Sequence, residues 1–297
     1  MPRIVESVLV GGFRLFGEGG TLGVGWGKGS PLDMKLKGLG AQAEDLDVLV
    51  QAIKRRVSVA AHDNVIREAD AAGQVKVLLS GTTCSYNRKE NGSRSILAFH
   101  HAGDFCNLHR YVLPNCQTAI AVQALTDCTV GIIEYRDVDR LLSHSALASA
   151  LWRASVLEAA YCRERLSRTS RGTALERVAH LLCEQMARRE AIGIRGPLPF
   201  SQIDVADAVA LSIVHVNRTI QTLRGLNVLS KTGHAIEVVD REKLEKIAGF
   251  HDRYLDLPNF VSKWTVQIEP ARRAALGRVS PNHPTVSTIA RTPRRIH

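Results

Sequence analysis

The segment from Ser201 to Leu229 constrains the fold more than any other part of this 297-residue chain. Its pattern predicts two short helices joined by a tight turn. Residues 201–204 (Ser-Gln-Ile-Asp) form a capping box, in which a hydroxyl accepts from a free amide and an acidic side chain follows three residues later. Ala206 and Val209 supply an inward face for the first helix, and Ser212 is an N-cap residue that begins the second.

The second helix has two different faces. One is apolar, because Ile213, Val216, Ile220 and Leu223 recur at helical spacing and predict a buried stripe. The other is short, polar and cationic, which suits a helix lying in the DNA major groove, although most such faces only meet water. The candidate DNA contacts are Ser212, Val214, His215, Asn217, Arg218 and Gln221.

The residues after this helix predict a hairpin. Two apolar strands, 228–231 and 235–239, flank a turn formed by Thr232, Gly233 and His234. A helix-turn-helix followed directly by two strands is a winged helix, and DNA-binding proteins of that kind place the wing against the phosphate backbone. The hairpin therefore favours DNA contact over a solvated helix pair.

The first half of the chain has the period of β-structure. After a short amphipathic helix over 44–55, five strands are predicted with turn residues between them, including the hairpin-type pair Asn91-Gly92. Short strands at close spacing predict a small antiparallel barrel or β-roll. The predicted strands are 75–81, 83–86, 96–99, 120–125 and 128–133.

A long helix is predicted to follow the β-roll from Ser145. Apolar residues recur there in steps of three and four, giving a seam about two heptads long. The spacing fits a dimer seam and fits a helix packed on its own barrel equally well. The seam residues are Leu147, Ala150, Ala154, Leu157 and Tyr161, and a second capping box at 173–176 opens the next helix.

Net charge and its distribution bear on the partner. The chain carries a formal net charge of +10, which favours a polyanionic partner such as nucleic acid. Residues 258–297 hold seven Lys or Arg against one acidic residue, so much of this charge lies in a tail (251–297) predicted to be disordered. That tail could add nonspecific DNA affinity or have no role. Residues 1–40 contain 11 of the 23 glycines and are predicted to be a flexible arm, with Met34 as an alternative start.

Several classes of protein are not expected. The six cysteines form no C-x-x-C pair and have no zinc-site spacing, so they indicate reduced thiols in a cytoplasmic protein. No apolar run approaches the roughly 20 residues of a membrane span. Neither a nucleophile–base pair nor a carboxylate or metal motif with meaningful spacing occurs, so we expect neither an enzyme nor a bound metal or cofactor.

With these motifs in this order, the chain resembles the Crp/Fnr family of bacterial transcription regulators over roughly residues 46–255. The resemblance implies an α+β protein: an antiparallel, cyclic-nucleotide-binding-like β-roll sensor (41–143), a dimerisation helix (144–168) and a C-terminal winged helix-turn-helix (169–250). It implies a homodimer with two recognition helices about 34 Å apart on a pseudo-palindromic duplex. RNA polymerase and an unidentified small-molecule effector are further partners that it suggests. The motifs are 78–81 (Leu-Leu-Ser-Gly), 99–105 (Phe-His-His-Ala-Gly-Asp-Phe), 176–179 (Glu-Arg-Val-Ala) and 211–218, the most specific.

The resemblance also implies roles on the recognition helix. Family members typically read bases with a Glu and an Arg four residues later. Arg218 matches that Arg and is expected to contact guanine or phosphate. Val214 stands where the Glu is usual and cannot accept a hydrogen bond from cytosine, which leaves Asn217 and His215 as polar readers. Family turns usually have Gly where this chain has Ala210; a positive φ there would cost about 1 kcal/mol.

The effector chemistry departs from the family pattern. Cyclic AMP binders carry Gly-Glu in the phosphate cassette and a later Arg-Ser or Arg-Thr, and the Arg pairs with the phosphate. The matching residues here, the candidate effector pocket, are Gly103, Asp104, Phe105, Gln117 and Thr118. Because Gln117 offers no charge to a phosphate, control by cyclic AMP is not expected.

An alternative function is a redox- or haem-responsive regulator. Cys106 lies near His100, His101 and His109 in the sequence, and these side chains could form a sensing site. Ordinary turn histidines and a half-buried thiol explain the same cluster, because the spacing is not diagnostic of a metal site. An iron–sulfur cluster on N-terminal cysteines is not expected, because no cysteine precedes Cys84.

Overall fold

The computed structural model describes residues 26–257 except 69, 71, 89, 91, 114–119 and 231–234, together with strand residues 9–10 and 13–15. Some predicted features therefore lie outside the described residues. These are most of the glycine-rich start, the tail from 258 onwards, the wing turn at Thr232, Gly233 and His234, and the effector candidates Gln117 and Thr118.

The described strands form two antiparallel sheets, which confirms the predicted β-roll. One sheet has the order β1-β2-β3-β9-β5 and the other β4-β8-β6-β7. Four strands were missed: β1 and β2 lie in the predicted flexible arm, the first residue of β3 was taken as the end of a helix, and β4 is only three residues long. The strands are β1 Leu9–Val10, β2 Phe13–Leu15, β3 Arg55–Val59, β4 Asn64–Ile66, β5 Gln74–Ser80, β6 Thr82–Arg88, β7 Arg94–His101, β8 Ala121–Ala124 and β9 Cys128–Glu134.

The described helices flank the β-roll and build the C-terminal half. They are α1 Pro31–Gly38, α2 Ala43–Ala52, α3 Leu108–Val112, α4 Tyr135–Ser143, α5 Ser145–Arg171, α6 Ala174–Glu190, α7 Gln202–Val209, α8 Ile213–Gly225 and α9 Arg241–Ala248, followed by a 3₁₀ turn Arg253–Leu255. The capping box before α6 is present: the Thr173 hydroxyl accepts from the Glu176 amide at 3.2 Å. Among the described helices, none combines the length and apolarity needed to cross a membrane.

Helix α1 corrects the predicted flexible arm over residues 1–40. The Ser30 hydroxyl accepts from the Asp33 amide, and Pro31 opens the helix with a backbone angle already suited to it. Leu32 and Leu36 are buried in the sensor core. Apolar burial therefore orders this segment despite the glycines before it, and Met34 lies inside the helix.

The start of the predicted tail is also corrected. Leu255 is buried and packs in a cluster with Tyr161 and Ala187. Residues 251–257 consequently belong to the folded part of the chain, because they cover α5 and α6.

The predicted seam on α5 packs inside its own chain. Leu147 and Ala150 are buried in the sensor core, and Tyr161 is buried beneath the 3₁₀ turn. A second stripe on the same helix is exposed instead, with Trp152 71% and Leu166 72% accessible. Of the two interpretations of the predicted seam, the structure supports packing on the chain's own domains.

The sensor sheet and the C-terminal half share one hydrophobic cluster. Phe99 of β7 contacts Phe200, just before α7, with ring centroids 4.5 Å apart. Cys84 and Ile96 of the sensor lie in the same cluster as the buried residues of α6, α7 and α8. The first helix of the helix-turn-helix therefore packs directly on the sensor.

Candidate nucleic-acid interface and sensor turn

The turn between α7 and α8 follows from local sequence. The Ser201 hydroxyl accepts from the Asp204 amide at 3.1 Å, which fixes the start of α7. Ala210 ends that helix in the left-handed region, with φ 53° and ψ 48°. The φ of Ala210 is thus positive, which is the case in which an alanine carries the steric cost given above. Ser212 then caps α8 by accepting from the His215 amide at 3.3 Å.

Helix α8 presents every predicted DNA contact on its exposed side. Its inward face is formed by Val216, Ile220 and Leu223, all buried. Ile213, predicted to join that stripe, is instead 48% exposed, because the first turn of the helix extends beyond the core. The exposed candidates are Ser212, Val214, His215, Asn217, Arg218 and Gln221.

Two hydrogen bonds orient side chains on this surface. The Ser212 hydroxyl and His215 Nδ1 lie 3.0 Å apart, so the imidazole folds back over the N-cap. The Asn217 amide donates from Nδ2 to Oε1 of Gln202 on α7 at 3.0 Å. Sequence reasoning missed Gln202; its place directly after the capping serine, facing the next helix, was the available signal.

Arg218 and Gln221 contribute unpaired polar groups. Within the described part of the chain, neither side chain has a hydrogen bond or an ion pair, and both are exposed. A guanidinium left free in this way can donate two parallel hydrogen bonds to guanine O6 and N7.

The predicted wing follows α8 in the chain. The Val239 amide donates to the Val228 carbonyl at 2.9 Å, and the Ser230 amide donates to the Glu237 carbonyl at 2.9 Å. The hairpin prediction is confirmed for these flanks, whose turn lies outside the described residues.

The sensor turn at Gly103 and Asp104 is closed by residues from outside the β-roll. Gly103 has φ +91°, and a Cβ there would lie 2.6 Å from the Cβ of Lys35 on α1. Asp104 pairs through Oδ1 with Lys35 at 2.7 Å and through Oδ2 with Arg188 of α6 at 3.0 Å. The His101 amide also donates to Oδ2, at 2.9 Å. Both carboxylate oxygens are therefore engaged within the chain.

Electrostatics keep this carboxylate ionised. Burial opposes ionisation, but the nearby charges of Lys35 and Arg188 outweigh it and hold the pKa of Asp104 far below its ordinary value. Arg188 is itself buried, with its guanidinium 4.5 Å from the centroid of the Tyr161 ring. Phe105, another effector candidate, packs in the sensor core.

A cleft between β7 and α5 lies beside this cluster, and Glu158 of α5 lines it. Burial, reinforced by the charge of Asp104, raises the pKa of Glu158 to about 7. Glu158 makes no hydrogen bond or ion pair with any described residue. The cleft thus holds a carboxyl group that changes charge near neutral pH.

Two of the four residues proposed as a redox or haem site, His100 and His101, each use one ring nitrogen in a contact within the chain, whereas Nε2 of His109 is buried without a hydrogen-bond partner among the described residues. Nε2 of His100 lies 2.6 Å from the Ser85 hydroxyl, and Nε2 of His101 lies 2.9 Å from Oε1 of Gln185. Cys106 is buried, and burial raises the pKa of its thiol to about 12, so it remains a poorly nucleophilic thiol. Among the residues that the structure describes, no cluster of three or more His, Cys, Asp or Glu could hold a metal ion.

A second ionic contact joins the sensor to the helix-turn-helix. Arg94 of β7 pairs with Asp204 at 2.6 Å and with Asp207 at 2.7 Å, both on α7. Its remaining nitrogen donates to Oε1 of Gln123 at 2.7 Å. Sequence reasoning had no signal for this contact, because the paired residues are more than 100 positions apart.

These features define a class: a β-roll sensor joined by a long helix to a winged helix-turn-helix whose recognition helix is exposed. The comparisons agree. Residues 56–145 match the cyclic nucleotide-binding domain, and residues 176–247 match the Crp-like helix-turn-helix domain.

Named relatives and a solved structure align with about two thirds or more of this chain. The transcriptional activator protein Anr of Pseudomonas protegens is 23% identical over 71% of this chain and 87% of its own. The fumarate and nitrate reduction regulatory protein of Vibrio cholerae is 25% identical over 69% and 83%. The structure of FixK2 from Bradyrhizobium japonicum aligns with a TM-score of 0.57 and 24% identity, over 66% of this chain and 98% of that one. The chain belongs to the Crp/Fnr family of DNA-binding transcription regulators.

Proposed function

We propose that this regulator binds a pseudo-palindromic duplex as a homodimer, with one α8 helix per half-site, and needs no cyclic AMP to do so. The observation that carries the proposal is the exposed α8 face, where Arg218 and Gln221 have no partner among the described residues. Transcription would then change through the effect of the bound protein on RNA polymerase at that site.

The dimer contact that we propose is the exposed stripe on α5. Trp152, Val156 and Leu166 are exposed and follow the three- and four-residue spacing of a coiled-coil seam, with Ala159 between them. Covering Trp152 and Leu166 removes a large apolar area from water, which is the main driving force for such association. Because α5 leads into α6, this contact would set the distance between the two recognition helices.

Independence from cyclic AMP rests on the closed sensor turn. The ribose hydroxyl of a bound nucleotide needs a free carboxylate acceptor, but Lys35 and Arg188 occupy both oxygens of Asp104. Displacing them would leave Arg188 buried without its nearest counterion, which is costly.

The test is DNA binding by Arg218→Ala. We expect specific footprinting to disappear while sedimentation still reports a dimer, because Arg218 is exposed on α8 and is not part of the α5 stripe. Arg136→Ala, an exposed arginine on the sensor helix α4, is the matched control and should leave the footprint intact. An unchanged footprint for Arg218→Ala would refute the assignment of α8.

A separate measurement tests the dimer. A monomeric wild-type protein would refute the dimer, and Trp152→Glu should convert the wild-type dimer to a monomer.

A further inference from the structure

We infer that α8 reads an adenine·thymine element in each half-site: Asn217, positioned by Gln202, reads adenine, and Val214 contacts the methyl group of a thymine. This inference rests on the proposed DNA-binding mode of α8 and specifies which bases that helix recognises.

The two residues share the outermost part of the helix. At 3.6 residues per turn, positions 214, 217, 218 and 221 fall within about 100° of arc, opposite the buried residues Val216 and Leu223. Val214 is 56% exposed there. These side chains are the ones that a base edge meets first when the helix enters the major groove.

The hydrogen bond to Gln202 decides what Asn217 can recognise. One N–H of the Asn217 amide is used by Oε1 of Gln202 at 3.0 Å, which leaves one N–H donor and the Oδ1 acceptor. Adenine presents one acceptor, N7, and one donor group, N6–H₂, which match that pair. Guanine presents two acceptors, O6 and N7, and would need two donors.

Gln202 acts as a positioning residue for this reader. It is the first residue of α7, and the adjoining Ser201 is held by its bonds to Asp204. The Asn217 amide is therefore oriented before DNA arrives, so less conformational freedom is lost on binding.

Val214 has no polar atom with which to read a base. The only apolar feature that distinguishes bases in the major groove is the C5-methyl group of thymine. Ile213, 48% exposed, extends the apolar patch at the same end of the helix. A thymine methyl against this patch removes apolar surface from water on both partners.

The experiment begins with selection from a pool of randomised duplexes. We expect wild-type protein to enrich an adenine and a thymine in each half-site, and Asn217→Ala to lower the adenine preference by roughly 5- to 150-fold. Gln202→Met, which removes the acceptor, should reduce that preference, whereas Gln202→Glu, which keeps an acceptor, should retain it. Thr222→Ala is the matched control, because its hydroxyl already bonds the Arg218 carbonyl.

The thymine contact is tested on the selected duplex by replacing that thymine with deoxyuridine, which lacks the methyl group. Wild-type affinity should fall roughly fourfold, the value of one buried methyl group, and Val214→Ala should show a smaller loss. Two results would overturn the inference: an Asn217→Ala variant that keeps the adenine preference, or wild-type protein that binds the thymine and deoxyuridine duplexes equally. Neither result would argue against DNA binding by α8. An unenriched wild-type pool would instead refute the proposed function itself.

Discussion

The exposed face of α8 and the sensor turn at Asp104 differ in how their polar groups are satisfied. Family resemblance predicts contact with another molecule at both places. On α8, Arg218 and Gln221 have no partner within the described residues, whereas both oxygens of Asp104 are bound by Lys35, Arg188 and the His101 amide. Resemblance to the family motif at both places therefore does not mean that both can bind a ligand equally well. The α8 face can accept a ligand directly, but the sensor turn must first break its own contacts.

The closed turn also connects the two halves of the chain. Arg188 belongs to α6, inside the matched helix-turn-helix region, and reaches into the sensor. Arg94 makes the reverse connection from the sensor to α7. Asp104 is therefore in direct contact with α6, a helix that packs against α8.

The largest expected effect comes from opening the closed site. Asp104→Asn leaves Arg188 buried with only Glu184, 3.8 Å away, as a carboxylate partner. Removing one member of a buried ion pair costs about 3–5 kcal/mol of unfolding free energy. Chemical denaturation measures this loss. Asp47→Asn, an exposed matched control on α2, should change stability by less than about 0.5 kcal/mol. Equal stability of the two variants would mean that the cluster is not a tight internal contact.

The second effect is acid sensitivity, which arises from two histidines of sensor strand β7 and one of α6. Burial lowers the pKa of His100 to about 4, of His101 to about 3 and of His180 to about 4, so the unfolded chain, with ordinary values near 6.5, takes up these protons first. Stability is thus fully present above pH 6.5 and falls below it. Glu158, with its pKa raised to about 7, takes up one proton in the folded state and opposes the loss.

For these four groups the opposing changes leave a difference of about two protons near pH 5, or about 2.7 kcal/mol per pH unit, and His109, whose pKa is also lowered by burial, acts in the same direction as the other histidines. Urea denaturation at pH 7, 6 and 5 measures the slope. His100→Gln, which removes one titrating group, should make the slope shallower. A stability that stays constant between pH 7 and pH 5 would contradict the neutral, buried state of these histidines.

The smallest effect concerns the turn that presents α8. Ala210→Gly should raise the unfolding free energy by about 1 kcal/mol, because glycine adopts the left-handed conformation without steric cost. Ala206→Gly, inside α7, is the matched control and should lower stability by about 1 kcal/mol. Thermal denaturation compares the two variants; a loss of stability in both would show that Ala210 is not strained.

The sequence predicted the structural features that depend only on residues close together in the chain. The capping boxes at Ser201 and Thr173 and the N-cap at Ser212 all act within a few positions, and the structure confirms them. Contacts made across the fold carry no such local signal. Arg188 and Asp104 are 84 residues apart in the sequence, and the burial of Leu32 and Leu36 depends on the core that helix α1 joins.

On the α8 surface, too, some features could be predicted from local spacing and others depend on contacts across the fold. The exposed readers followed from helical spacing, but the exposure of Ile213 depends on where the core ends, and the bond from Asn217 to Gln202 depends on how α7 crosses α8. Spacing within one helix cannot indicate either property.

The most direct test of this contrast is the affinity of the purified wild-type protein for its selected duplex, measured with and without cyclic AMP. An open α8 and a closed Asp104 turn predict tight, specific binding in both conditions, with less than about a twofold change. Effector coupling in such systems is typically 5–150-fold. Specific binding that appears only after cyclic AMP is added, or tightens by that factor, would contradict the contrast.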